Sequence, residues 1–347
     1  MTLNPVNAWR RWVQFISTRE DATSLAVARM IAGSTIAFNL IGMRSSGAAI
    51  EAWVDVRSGG ARVSWGQPWF EALGGGTAAN VQALIFIGCI AGVLMTIGLA
   101  TRASTIVTWL AFQTLTNMNY LAGGSADDLL LNGLFVLIWS GAGRALSVDQ
   151  WLRTRRNPAA SSEAPAWPRY VLIFQIITVY WTTGMQKLSS SWWPPPFGSL
   201  DAIWYILQQP TWIRANTLDW ATPLYRLTQF ATLTTWLFEN AGLLLLLAFW
   251  YRQTRERPGR VRAFFNAPLK VFRKRLGPWV DRIDYRLCYL AVGFSLHFGI
   301  WALMEVGPFF NSVLVCYACC FTPAEWRGVF RWARSSLPGG SPVATGS

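Results

Sequence analysis

Lys187 closes a membrane-length apolar run, YVLIFQIITVYWTTGMQKLSSSWW over 170–193, just before a Trp pair and three prolines. A cation is costly in hydrocarbon, so an ionisable group at membrane depth marks a candidate functional site. The competing reading is a snorkelling lysine, its ammonium among the headgroups beside a Trp belt. The other titratable groups in apolar segments are Asp127 and Asp128, Glu239 and His297, the single histidine, with Glu305 close after the last of these segments. Each also has a structural role open to it. Asp127 can cap a helix that follows Gly123, Gly124 and Ser125. His297 can be a satisfied core histidine, and Glu239 can pair with an arginine or a hydroxyl. Residue types alone therefore describe a polar cluster that is either structural or catalytic.

The elements that position these groups are membrane helices. Of the 347 residues 52% are hydrophobic and 14% charged, and 21 are Trp. Soluble domains carry about a quarter charged residues, so the composition points to a polytopic membrane protein. About 20 apolar residues cross the hydrocarbon core. That length predicts an all-α bundle of about eight transmembrane helices, near 24–43, 80–99, 103–121, 127–143, 168–188, 227–251, 286–304 and 307–322. Residues 1–22 contain no long apolar run and predict an interfacial amphipathic helix with Trp9, Trp12, Val13 and Phe15. The transmembrane domain is expected over 23–330 and a disordered tail over 335–347.

Lys and Arg collect in cytoplasmic loops. With the N-terminus inside, 23 of the 30 basic residues fall in or at the edge of the inner segments. Only Arg44, Arg57, Arg62, Arg214 and Arg226 fall in the outer ones. This distribution predicts an integral membrane protein with both termini cytoplasmic. It also sets depth: Asp127, Asp128 and Lys187 come to the outer ends of sequential antiparallel helices, where a Lys–Asp pair is possible. Glu239 falls near mid-depth and His297 in the outer half.

The net charge of +13 sits in membrane-flanking loops with no nucleic-acid motif, so no nucleic-acid partner is expected. The basic connection over 251–279 is expected to touch anionic lipid, making membrane lipids the first partner. None of the five cysteines lies in an outer loop, so no disulfide framework is implied. The C-x-x-C-C run Cys316, Cys319, Cys320 has no His or carboxylate beside it and reads as small packing residues, not a metal site. Two long Trp-, Pro- and Gly-rich segments, 44–79 and 189–226, are candidates for a cap over the outer mouth.

Several stretches, in order, carry a family likeness: DATSLAVARM (21–30), GLATRAS (98–104), ALSVDQWL (145–152), TTGMQKLSSSWW (182–193) and LHFGIWALMEVGPFFNSVLVCYACCFTPAEW (296–326). Together they resemble the transmembrane part of the vitamin K-dependent gamma-glutamyl carboxylases and the wider horizontally transferred transmembrane (HTTM) domain family. The resemblance implies that Lys187 matches the base that deprotonates vitamin K hydroquinone. The anion then reacts with oxygen to give a stronger base, which takes a proton from a glutamate side chain that captures carbon dioxide. A lysine acts as a base only when neutral, a state that burial in an apolar pocket favours. Two departures stand out. Asp128 occupies the position where the carboxylases have a histidine, aligned by Gly133, and the large lumenal domain that grips their protein substrate has no counterpart within this sequence. The expected site is an outward-opening pocket of Lys187, Asp128 and His297, with Asp127, Tyr180, Gly184 and Glu239 behind them. Tyr180 and Gly184 lie on the helical face of Lys187. The expected cofactor is a reduced quinone, vitamin K hydroquinone or menaquinol, without a metal. A peptide or protein substrate is expected on the outer side, in a bacterial plasma membrane. The alternative function is a non-catalytic membrane helper for peptide or toxin maturation.

Overall fold

The computed structural model describes residues 5–62, 66–214, 217–246, 249 and 284–336, and the basic connection over 251–279 lies outside them, as does all but the start of the expected tail. The chain divides into two compact units, residues 1–173 with 311–347, and residues 174–310.

The first unit contains α1 (Pro5–Ile16), β1 (Arg19–Asp21), α2 (Thr23–Ser45), α3 (Ala48–Trp53), α4 (Pro68–Ala72), α5 (Ala78–Ile97), α6 (Thr101–Met118), α7 (Ser125–Trp139), α8 (Val148–Arg156) and β2 (Glu163–Pro165). Helix α9 (Trp167–Gln186) starts in it and continues into the second unit, which holds α10 (Ala202–Ile206), α11 (Leu218–Ala221), α12 (Tyr225–Asn240) and α13 (Tyr285–Leu303). Most of α14 (Phe309–Cys320) and all of α15 (Pro323–Ser335) belong to the first unit.

Three of the described helices, α2, α5 and α13, are long and apolar enough to cross a membrane, and α14 is a shorter apolar helix. Helices α6, α7, α9 and α12 lie where the remaining spans are expected, α12 covering the first part of the sixth. The apolar surface faces outward as well as inward. On α5, Phe86, Ile87, Ile90, Val93 and Ile97 are all exposed, a stripe that water would not tolerate and lipid solvates. The protein is an integral membrane protein built as an all-α bundle. Helix α1 has its Trp9 and Trp12 on an open face, 65% and 54% exposed.

Packing in the first unit follows the rule for helices in lipid, where small residues let backbones approach. A Cβ added at Gly33 on α2 would meet Thr96 Oγ1 at 2.6 Å and the Gly92 carbonyl at 2.8 Å on α5. One turn before Gly92, Gly88 admits Leu40 and Ala111 at the same kind of distance, so a Gly-x-x-x-Gly step seats α5 against both α2 and α6. The short sheet pairs Arg19 with Pro165 and Asp21 with Glu163. Arg169 on α9 supports it: its Nε and Nη2 donate to the two Glu20 oxygens at 2.6 and 2.9 Å, and its Nη1 donates to the Cys319 carbonyl at 3.2 Å.

Three of the separated family-like stretches meet in one structural knot in this unit. Helix α5 ends with Gly98 at φ +71, and the Leu99 N–H returns to the Leu94 carbonyl at 3.0 Å, closing a left-handed helix stop. Helix α6 starts three residues after Gly98, at Thr101, and its first amides are capped from a distance. The Asp149 carboxylate accepts from Ala100 N at 2.9 Å and from Thr101 N and Oγ1 at 2.7 Å each. Arg29, fully buried, donates to the carbonyls of Met95, Thr96 and Leu146. The guanidinium of α2 thereby adds a donor to the Met95 and Thr96 carbonyls at the end of α5, the first of which also accepts from Gly98 N, and ties them to the connection before α8 through Leu146. The fifth stretch ends in a further helix start: Thr322 Oγ1 accepts from Glu325 N at 3.3 Å and Glu325 Oε2 accepts from Thr322 N at 2.7 Å, with Pro323 in the first turn. Trp326 then donates to the Ala318 carbonyl at 2.9 Å.

The Asp149 cap has a pH signature. Burial alone would raise its carboxyl, but the bonds from Thr101 and Ala100 outweigh this and hold it below the ordinary value of 3.8. A depressed carboxyl contributes stability above its unfolded value and loses it as pH falls through the folded one. We expect Asp149→Asn to lower the melting temperature in detergent at pH 7 and to flatten the fall of stability below about pH 4. A melting series from pH 7 to pH 3 on both proteins measures this, and an unchanged acid slope contradicts it.

Candidate functional site

Most of the sequence-predicted site residues gather in the second unit, along one face of α9. Tyr180, Gly184 and Lys187 recur at four and three residues, the spacing of one helical stripe. Lys187 lies just past the end of α9, its N–H on the Gly184 carbonyl at 3.3 Å, the tight bond of a closing turn. Its side chain turns inward. Nζ lies 2.5 Å from Glu239 Oε2, and the two side chains are 16% and 14% exposed. A cation sharing a proton with a carboxylate at this distance is a strong, charge-assisted hydrogen bond.

The Trp pair after Lys187 holds it in place instead of forming an independent belt. The Trp192 ring lies over Nζ at 4.7 Å from its centroid, a cation–π contact. Trp193 Nε1 donates to the Lys187 carbonyl at 3.1 Å, and its ring packs on Trp236 of α12 at 5.6 Å. Gly184 lets α12 come close enough to bring Glu239 to the lysine. A Cβ there would meet Glu239 Cβ at 3.1 Å and Asn240 N at 3.2 Å, so any side chain would push the two helices apart.

Two turns before Lys187, the buried Tyr180 hydroxyl lies 2.7 Å from His297 Nε2 of α13. The two rings stack at 5.7 Å with 20° between their planes. Phe238, the neighbour of Glu239, meets the Tyr180 ring edge-on at 4.8 Å and stacks on Tyr289 at 4.3 Å. Tyr289 donates to the Phe238 carbonyl at 3.1 Å, and Phe309 meets His297 edge-on at 5.0 Å. An aromatic box thus joins the Tyr180–His297 pair to the residue adjoining the Lys187–Glu239 pair.

The aspartates have other partners. The carboxylate bonded to Lys187 is Glu239, where sequence depth allowed an aspartate of α7. Asp127 accepts from the Gly124 N–H at 2.8 Å, capping α7 as its position after two glycines permits. Asp128 is exposed, on the first turn of the same helix, its N–H on the Gly124 carbonyl at 3.4 Å. Both belong to the first unit. Glu239, ranked behind Asp128 from sequence, is the group the structure brings to the lysine. Depth along a span is readable from sequence, whereas which residue of α12 faces α9 depends on rotation about its axis.

The family model for the HTTM domain matches residues 18–206. The chain belongs to the HTTM domain family. No curated protein and no solved structure matches it. The HTTM match takes in Tyr180, Gly184, Lys187 and the two tryptophans that enclose the lysine, whereas Glu239 and His297, the groups these residues bond, follow it in the chain. It also takes in the whole knot of Arg29, Gly98 and Asp149. In this chain, then, the Ser-Leu-Ala-x-x-Arg, Gly-x-x-x-Arg and Ser-x-Asp stretches supply architecture, and the Gly-x-x-Lys stretch supplies the partly buried amine.

Proposed function

We propose that this HTTM protein is a quinol-linked, carboxylase-like membrane enzyme in which Lys187 is the proton acceptor. The observation that carries the reading is the inward-turned Lys187 amine, hydrogen-bonded to Glu239 and roofed by Trp192. A snorkelling lysine needs neither partner. The surroundings suit a lipid-soluble aromatic ring: Trp181, Met185 and Leu188 expose apolar surface on the turns flanking Lys187. A reduced quinone, vitamin K hydroquinone or menaquinol, supplies a phenolic proton and reducing power toward oxygen. Lys187 Nζ takes up such a proton once its own has passed to Glu239 Oε2, a transfer over 2.5 Å that leaves both groups neutral. The Tyr180–His297 pair is a second proton path on the same helix face. Asp128, at the carboxylase histidine position, is a relay candidate from sequence alone. An eight-span topology with cytoplasmic termini, supported by the distribution of basic residues, puts Lys187 on the outer side, where a peptide or protein substrate would meet it.

One feature favours the non-catalytic reading, a membrane helper for peptide or toxin maturation: each polar pair is hydrogen-bonded across two helices and can serve helix packing alone. A single assay separates the two. Purified protein receives reduced vitamin K or menaquinol with bicarbonate and oxygen, and quinol oxidation and epoxide are followed. Wild type is expected to turn over, and Lys187→Ala to lose about 10²–10⁴-fold, the usual contribution of a positioned base. Absence of any turnover in wild type rejects the enzyme reading, and full activity in the variant rejects Lys187 as the base.

A further inference from the structure

The first unit contains a cavity of about 690 Å³ bounded by the N-terminal turn of α6, the end of α7, and α8. Five arginines line it: Arg19, Arg102, Arg144, Arg153 and Arg156. The one carboxylate in the lining is Asp149, and it is already committed to capping α6 through Ala100 and Thr101. Among the described residues, none of the five guanidinium groups has a carboxylate within ion-pair distance. Three have weaker protein contacts. Arg153 donates to the Gly143 and Asp149 carbonyls at 2.6 and 3.3 Å, Arg19 to the Glu163 carbonyl at 3.4 Å, and Arg102 lies 4.9 Å from the centre of the Trp139 ring. Among the described residues, Arg144 and Arg156 have no such bond.

Five guanidinium groups against the single carboxylate of Asp149 leave the cavity with an excess of positive charge, which favours a further anion there. Arginine forks match phosphate oxygens in particular, two N–H groups to two oxygens. The remaining wall is apolar: Leu137, Trp139 and Leu152 line the same cavity, and Trp139 is half-exposed where α7 ends. A free inorganic anion has no use for that wall, whereas a phospholipid would lay its acyl chains along α7 and its phosphate among the arginines. Basic pockets between membrane helices take anionic headgroups in this way. We propose that this cavity is a binding site for the headgroup phosphate of an anionic phospholipid. It is independent of the lysine site, and it gives the Arg-rich connection after α7 a role that electrostatic topology alone does not.

The full chain, purified in neutral detergent, is titrated with short-chain phosphatidylglycerol, short-chain phosphatidylcholine or inorganic phosphate, with thermal shift and native mass spectrometry as readouts. Phosphatidylglycerol is expected to bind and stabilise, phosphatidylcholine not to, and inorganic phosphate to bind at least about tenfold more weakly because it lacks the apolar contribution. Arg144→Gln with Arg156→Gln removes two guanidinium groups that hold no partner among the described residues, so folding is retained while lipid affinity falls by about tenfold or more. Arg331→Gln with Arg334→Gln on α15 makes the same change in net charge away from the cavity and is expected to leave affinity unchanged. An equal loss in both double variants overturns the proposal in favour of diffuse surface attraction. Equal binding of the two lipids overturns it as well, and inorganic phosphate binding as tightly as phosphatidylglycerol overturns the lipid assignment.

Discussion

Gly98→Ala is expected to destabilise the first unit by about 2–5 kcal/mol, although it adds a single methyl group. Two costs combine. Gly98 holds φ at +71, a left-handed conformation that costs a residue with a Cβ about 1–2 kcal/mol. The new Cβ would also overlap the Arg29 guanidinium and Ser147 Cβ. Neither neighbour can give way cheaply: Arg29 is fully buried and held by three carbonyls, and Ser147 caps α8 by accepting from Gln150 N at 2.9 Å. Gly47 provides the control. It has the same backbone conformation, φ +72, but open space where a Cβ would go. Gly47→Ala should therefore show the conformational cost alone, about 1–2 kcal/mol. Equal melting shifts for the two variants would mean that the Arg29 knot does not tie α2, α5 and α8 together.

That knot shows what sequence can and cannot express about this fold. Apolar runs long enough to cross a bilayer locate helices directly, because the length requirement is one-dimensional, and α2, α5 and α13 meet it in both length and composition. The helix start at Thr322, Pro323 and Glu325 is equally local and equally readable. The roles of Arg29 and Arg169 are not local. Counting basic residues puts Arg169 at the inner edge of its span but cannot name its partners, Glu20 and the Cys319 carbonyl. Its partners are 149 and 150 residues distant, and nothing in its neighbourhood names them. The site divides in the same way. Tyr180, Gly184 and Lys187 share a helix face by arithmetic, but the identity of the facing carboxylate depends on how α12 is rotated. Asp128 matched a functional position by alignment and is exposed, while Glu239 carried no motif and meets the lysine.

The Lys187–Glu239 pair makes the second large prediction, because removing one member strands the other. Lys187→Met leaves an enclosed carboxylate and Glu239→Leu an enclosed ammonium, and each is expected to cost about 3–5 kcal/mol. The double variant leaves no stranded charge and replaces the pair with apolar side chains of similar size, so it should recover most of that loss. The resulting coupling, read from melting curves of the four proteins in one detergent, is expected to reach a few kcal/mol. A snorkelling lysine behaves otherwise: Lys187→Met would then shift stability by less than about 0.5 kcal/mol and add simply to Glu239→Leu. The same four proteins separate structure from chemistry. If the pair only seats α12 against α9, the well-folded double variant retains whatever turnover wild type shows. If Lys187 is the base and Glu239 its proton acceptor, the double variant folds and does not turn over, since no packing gain replaces an amine that must hold a proton at Nζ.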